Sequence, residues 1–281
     1  MVKGSGVIAI AALVALSGGD LLAQRGAQPR YTPAPNATDL KAVLFNWFWY
    51  MGMLRGPQEV EAVATLEHKA TGTIQAGGQP CTLTNYRVST NYQVPGQRIQ
   101  YICTRANGQE YKAIEVVSGQ YAWDEDVVGA ELVRGRGRAT ATPSALHERL
   151  IRLWAGPQGA PKAAAAGGDT TSVSYAAGKA VVTFPIPGVP GAVAMATLSA
   201  KNMAERVEVR HGNVVTEFTY ADYADYNNPL NKVDAFYAGK LVETKNGVVI
   251  RDLRTIETET GNVYVVMPVP ASVRNADTAR R

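Results

Sequence analysis

Asn36-Ala-Thr-Asp-Leu-Lys-Ala-Val-Leu-Phe-Asn-Trp-Phe-Trp-Tyr-Met-Gly-Met-Leu-Arg-Gly56 decides how the chain is read, because no other stretch is apolar enough to plug a core. Asn36 or Thr38 can cap the first free N–H groups of a helix, Asp39 suits its first turn, and Gly56-Pro57 stops it. At about 100° per residue, Leu40, Val43, Leu44, Trp47, Met51 and Leu54 form one stripe, while Phe45 and Trp49 face the other way. A helix that is apolar nearly all round is buried on more than one side. It is expected to lie against a curved sheet, with either chain or a ligand over its back.

Residues 1–24 read as a secretory signal peptide, with Lys3 in the n-region, an apolar run from Val7 to Leu16, and a cleavage site after Leu21-Leu22-Ala23. That run is shorter than the roughly 20 residues that span a bilayer, and no later segment is long and uncharged enough. The chain is therefore expected to be exported, periplasmic or extracellular, and not membrane-spanning. Residues 25–36, rich in Pro, Gln and Ala, form a flexible lead-in. The signal holds one cation, Lys3, and one anion, Asp20, so the formal charge stays +4 without it. Its densest basic spot is Arg134-Gly-Arg-Gly-Arg138, read as a solvated loop tip. Nucleic-acid binding is not expected, since no aromatic residues interleave with the cations.

After Glu59–Ile74, a long strand containing His68, turns follow at Gly77-Gly78, Pro95-Gly96, Asn107-Gly108 and Gly119. They separate Leu83–Tyr92, Gln97–Arg105, Tyr111–Ser118 and an arm holding Tyr121, Ala122 and Trp123, which together make an antiparallel meander. Thr142-Pro143 starts a helix with Leu146, Leu150, Leu153 and Trp154 on one face, and a second short helix runs from Ala160 to Ala166. The chain then returns to strands through turns at Ala177-Gly178, Pro190-Gly191, His211-Gly212-Asn213 and Lys245-Asn246-Gly247, ending on a strand with Val263, Val265 and Met267. Residues 37–271 read as a single domain with a helical insertion near 143–166, and 272–281 as a flexible tail. The fold class is mainly β with α: a curved antiparallel sheet, a half-barrel, wrapped around helices.

Cys81 and Cys103 flank the first hairpin, and export permits them to pair. A turn at Asn91 to Val94 brings them nearly opposite, whereas one centred on Pro95-Gly96 sets Val88 opposite Cys103. A disulfide between them is the expectation, with two buried free thiols as the alternative.

Metal, nucleophilic hydrolase and nucleotide chemistry lack their minimum parts, while Glu110, Glu115, Asp124, Glu125 and Asp126 are carboxylates enough for acid–base work whose pairing in space the sequence does not give. His68, His147 and His211 lie on different elements without metal-ligand spacing, and there is no nucleophile elbow or phosphate loop. Asp222, Asp225, Asn227 and Asn228 cluster in sequence, but not with the spacing of an EF-hand loop, and read as a strand end running into a turn. No cofactor and no metal are expected, and the chain is not read as an enzyme. Aromatic residues are the unusual feature: the candidate lining of a ligand cavity is Phe45, Trp49, Trp123, Trp154 and Tyr101.

Val116-Val-Ser-Gly-Gln-Tyr-Ala-Trp123, Arg149-Leu-Ile-Arg-Leu-Trp-Ala-Gly-Pro-Gln-Gly159 with Lys162-Ala163, and Tyr220-Ala-Asp-Tyr223 are similar to stretches of exported bacterial proteins. With its order of helix, meander, helical insertion and meander, the chain resembles the LolA-like and LppX-like half-barrel proteins. The resemblance implies an apolar small molecule or a lipoprotein acyl chain as partner, and it maps no functional residue onto this chain. A carrier for such a ligand is the leading expectation. A structural or interaction module with a fully packed core comes second, and a hydrolase of envelope polymers third.

Overall fold

The computed structural model describes residues 33–34, 36–55, 60–228 and 235–278. The signal peptide, most of the lead-in, the Gly56-Pro57 helix stop and residues 279–281 lie outside the described residues.

Thirteen strands form one antiparallel sheet. The first six are β1 (Thr65–Ala76), β2 (Gln79–Asn91), β3 (Gly96–Arg105), β4 (Glu110–Ser118), β5 (Tyr121–Glu125) and β6 (Ala139–Ala141). The rest are β7 (Ser172–Ala176), β8 (Lys179–Pro185), β9 (Val193–Leu198), β10 (Ala204–His211), β11 (Val214–Ala221), β12 (Lys240–Lys245) and β13 (Val248–Thr260). Each of the two runs is a meander of neighbours, and β13 pairs with β1 to join them in mid-sheet. The edges are β6 and β7, which do not pair with each other, so the sheet is not closed into a barrel. Tight turns set the registers: Asn246-Gly247, both with positive φ, make the two-residue link that matches strand twist between β12 and β13. Gly72, at φ +132, marks a bulge in β1, and a Cβ there would come within 2.0 Å of the Asp252 carbonyl oxygen.

Helix α1 spans Leu40–Tyr50. The Asp39 carboxylate, rather than Asn36 or Thr38, caps it by accepting from the Ala42 N–H at 2.9 Å. The helix ends before Gly56: at Gly52, φ +64, the chain turns so that Gly52 and Met53 N–H groups reach back to Trp49 and Phe48 carbonyls. Its expected stripe is the buried one, with Val43, Trp47 and Met51 sealed from solvent. Helices α2 (Leu146–Ala155) and α3 (Gly159–Ala166) lie in the connection between the two edge strands. All three helices pack on one face of the sheet, which we call inner. There α1, α2 and α3 bury Trp47, Leu153, Trp154 and Ala163 with Val182, Ala196, Val207 and Phe218 of β8 to β11.

The stretch holding Val263, Val265 and Met267 is not a strand. Both sides of β13 are already taken by β1 and β12, so the chain leaves the sheet at Gly261 and crosses to the other, outer face. There Val265 and Met267 pack with Val116, Trp123 and Val273. Val273 belongs to α4 (Ala271–Thr278), a helix formed within the stretch read as a flexible tail.

Cys81 and Cys103 are bridged, with Cα atoms 5.5 Å apart. Neither simple register accounts for it. Asn91 pairs with Gly96, and a bulge between Leu83 and Asn85 then sets Leu83 opposite Cys103, so the bridge runs diagonally across the ladder.

Candidate functional site

One rung of the inner face runs Val182, Ala196, Val207, Phe218, Glu243, Arg251 across β8 to β13. It changes from apolar to charged where the helical cover changes from α3 and α1 to α2. Strand alternation aims Glu243 and Arg251 inward, and the turn of α2 aims Arg152 at Glu243 and at Glu115 of β4, and Arg149 at Asp124 of β5. Arg152 donates to both oxygens of Glu243, at 3.1 and 3.0 Å, and to Glu148 at 2.9 Å. Arg251 lies 3.6 Å from Glu243 and from Glu115, and the Tyr101 hydroxyl donates to Glu115 at 3.2 Å. Arg149 donates to the carbonyls of Val116 and Trp123 at 2.9 and 2.7 Å and to Asp124 at 2.5 Å, riveting α2 to β4 and β5.

Burial alone would raise the Glu115 carboxyl, but Arg251, Arg152 and Arg149 together hold it below the ordinary range. Glu148 is pushed down to about 2: burial opposes this, and Arg152 and Lys245 outweigh it. His68, on the same face, is pushed down to about 3 by burial and by the Arg251 charge, so it stays neutral. Its Nδ1 lies 3.4 Å from the Tyr237 hydroxyl, and its ring is flanked by Tyr86 and Tyr237. Between these groups and the end of α2 lies a cavity lined by His68, Tyr86, Tyr92, Tyr237, Arg152 and Leu153. Its volume of about 40 Å³ has room for a few waters and falls far below the roughly 300–1,000 Å³ of ligand pockets. An open hollow of about 650 Å³ beside β1 to β4 is lined by Lys69, Arg87, Gln100, Tyr101, Lys112 and Ile114.

A solved bacterial domain is similar. It comes from Vibrio parahaemolyticus and is described as a candidate outer membrane lipoprotein-sorting protein. The likeness has a TM-score of 0.43 at 11% identity and covers 85% of this chain and 98% of that one. That neighbour is of the kind that the sequence resemblance names. No family model and no curated protein matches the sequence.

The five aromatic residues read as a cavity lining are not brought together. Phe45 and Trp49 stack at 5.9 Å on the solvent side of α1, with Trp49 38% exposed. Trp123 is buried on the outer face, its indole N–H donating to Glu125 at 3.0 Å. Trp154 packs in the inner core against Tyr92, and only Tyr101 lines one of the hollows just described. Odd- and even-numbered strand positions point to opposite faces, and without a register that sorting was not available for Trp123. The charged cluster was missed, although α2 carried a signal: Arg149 and Arg152 stand three apart on a helix read only for its apolar face. No group of three His, Cys, Asp or Glu side chains suited to a metal occurs among the described residues. In the acidic stretch near β11, Asp225 accepts from the Asn227 N–H and side-chain amide at 2.9 and 2.7 Å, as a turn does.

Proposed function

We propose that this chain is an exported, non-catalytic carrier that holds an apolar or amphipathic molecule, such as a lipid or a lipoprotein acyl chain, on the inner face of its sheet. The observation that carries this reading is the seat of α1. This nearly all-apolar helix lies on the inner face with buried polar atoms unmatched beneath and beside it: Trp47 Nε1, Asn46 Oδ1 and, in the α2 to α3 link, Gln158 Oε1. A buried polar atom without a partner costs about 1–3 kcal/mol. Such costs are tolerated where another occupant, a head group or water, meets those atoms in a second state. The inner cavity is too small for an acyl chain, so uptake in this reading lifts α1 from β7 to β11, and the sheet then curves round the ligand as a half-barrel. The charged cluster supports a non-catalytic role. His68 is sealed and neutral, and each carboxylate of the cluster is held by an arginine.

Native mass spectrometry of protein purified from its source, followed by titration of the delipidated protein with a fluorescent fatty acid, tests the reading. The expected result is a co-purifying lipid mass and saturable uptake. Neither bound mass nor uptake would reject it. The small inner cavity favours a second reading, an interaction module in which α1 is a permanent plug and the exposed Trp49 meets a protein partner.

A further inference from the structure

The connection from β5 to β6, residues 126–138, sets four apolar side chains in water beside three arginines. Val127, Val128, Leu132 and Val133 are 39, 42, 49 and 58% exposed. Arg134, Arg136 and Arg138 are exposed as well, and none of them pairs with a carboxylate among the described residues. The acids nearest in sequence are engaged elsewhere, Glu125 buried and Asp126 and Glu131 each holding a backbone N–H group. Glu125 accepts from the Gly129 N–H at 2.8 Å and from Arg98, Asp126 from the Arg138 N–H at 2.7 Å, and Glu131 from the Ala139 N–H and Ser272 hydroxyl at 3.0 and 2.9 Å.

The loop is also preformed. Ala130 is fully buried beneath it, and Gly137 lies so close to Val127 that a Cβ would meet its side chain at 2.3 Å. Internal bonds from Glu131 N–H to the Arg136 carbonyl at 2.8 Å and from Arg136 N–H to the Val133 carbonyl at 3.0 Å fix the tip. Apolar groups held in water beside unpaired guanidinium groups match one kind of surface, an apolar layer under a sheet of phosphates.

We propose that this loop docks the protein on an anionic phospholipid bilayer, with Val128, Leu132 and Val133 entering the headgroup boundary and the three arginines engaging lipid phosphates. The proposal uses no residue of the inner face and stands apart from the carrier reading.

Co-sedimentation of the full chain with phosphatidylglycerol–phosphatidylethanolamine vesicles, against pure phosphatidylcholine vesicles, tests it. The parent should sediment with the anionic vesicles and hardly with the zwitterionic ones, and 0.5 M salt should release it. R134Q/R136Q/R138Q should weaken binding at least about tenfold, and L132S/V133S should weaken it without altering the salt dependence. Both variants change exposed groups and should melt with the parent, so loss of binding is not loss of fold. No binding of the parent to anionic vesicles overturns the proposal, as does equal binding by the arginine variant. Binding that survives L132S/V133S unchanged overturns the insertion. Retention of the parent on an immobilised acidic peptide with no vesicle binding would assign the loop to an acidic protein instead.

Discussion

Arg152 of α2 and Glu243 of β12 meet in a two-point pairing, Nε to Oε2 at 3.1 Å and Nη2 to Oε1 at 3.0 Å, with side chains 8% and 3% exposed. Removing one member strands a charge in the interior, so Arg152→Met and Glu243→Met should each cost about 3–5 kcal/mol. The double variant R152M/E243M should cost clearly less than the sum of the two, because it leaves no orphan at this pairing. Urea denaturation of the four proteins measures the coupling. Additive costs would mean that the two side chains do not depend on each other in solution.

Acid should weaken the protein earlier than its carboxylates alone predict. His68 titrates at about 3 when folded against an ordinary 6.5, so below pH 6.5 the unfolded chain takes up a proton that the folded one refuses. Stability then falls as pH drops from 6.5 toward 3, by at most about 1.4 kcal/mol per pH unit from this residue. Glu148, held down to about 2, adds its loss only below its ordinary 4.5, which leaves pH 6.5 to 4.5 as the window for His68. Denaturation midpoints at pH 6.5, 5.5 and 4.5 should slope in the parent and flatten in His68→Gln.

Two tryptophans two residues apart should behave oppositely. Trp47 is wholly buried against the inner core, and Trp47→Ala should cost about 3–5 kcal/mol. Trp49 lies 38% exposed beside Phe45, so Trp49→Ala should stay within about 1 kcal/mol of the parent. Thermal melts of both variants give the comparison. Equal losses would place Trp49 under a cover that the described residues do not supply.

The diagonal bridge between Cys81 and Cys103 closes a loop with a sequence separation of 22. By chain entropy such a loop is worth about 3 kcal/mol. Reduction, or C81S/C103S, should lower the melting temperature by roughly 6–12 °C in a domain of this size. Thiol titration before and after reductant checks that the drop follows the bond: no reactive thiol before, two after.

The meander and its turns were legible because dipeptides such as Asn246-Gly247 and Asn107-Gly108 tolerate the positive φ that tight turns need. The buried stripe of α1 was legible because Val43, Trp47 and Met51 recur at the helical period. What escaped depends on geometry between elements. The bulge at Leu83–Asn85 decides which residues oppose Cys103, and a one-residue shift leaves no trace in composition. The Val263–Met267 segment is apolar as a buried strand is, yet both sides of β13, the strand that it follows, are taken by β12 and β1. Arg149, Arg152, Glu243 and Arg251 read singly as surface charges, and only the pairing of α2 with strands far off in sequence makes them an interior cluster.

The place of β13 beside β1 governs the order in which the sheet can be completed. Every other ladder of this sheet joins strands that follow one another along it and along the chain, the longest link being residues 222–239. This ladder joins the first strand of the sheet to the last, so it closes the longest loop and carries the largest entropic cost of closure. A chain lacking that ladder would show β1 with an unpaired edge at the centre of the sheet, and two such copies meeting there would pair with each other instead of with their own final strand.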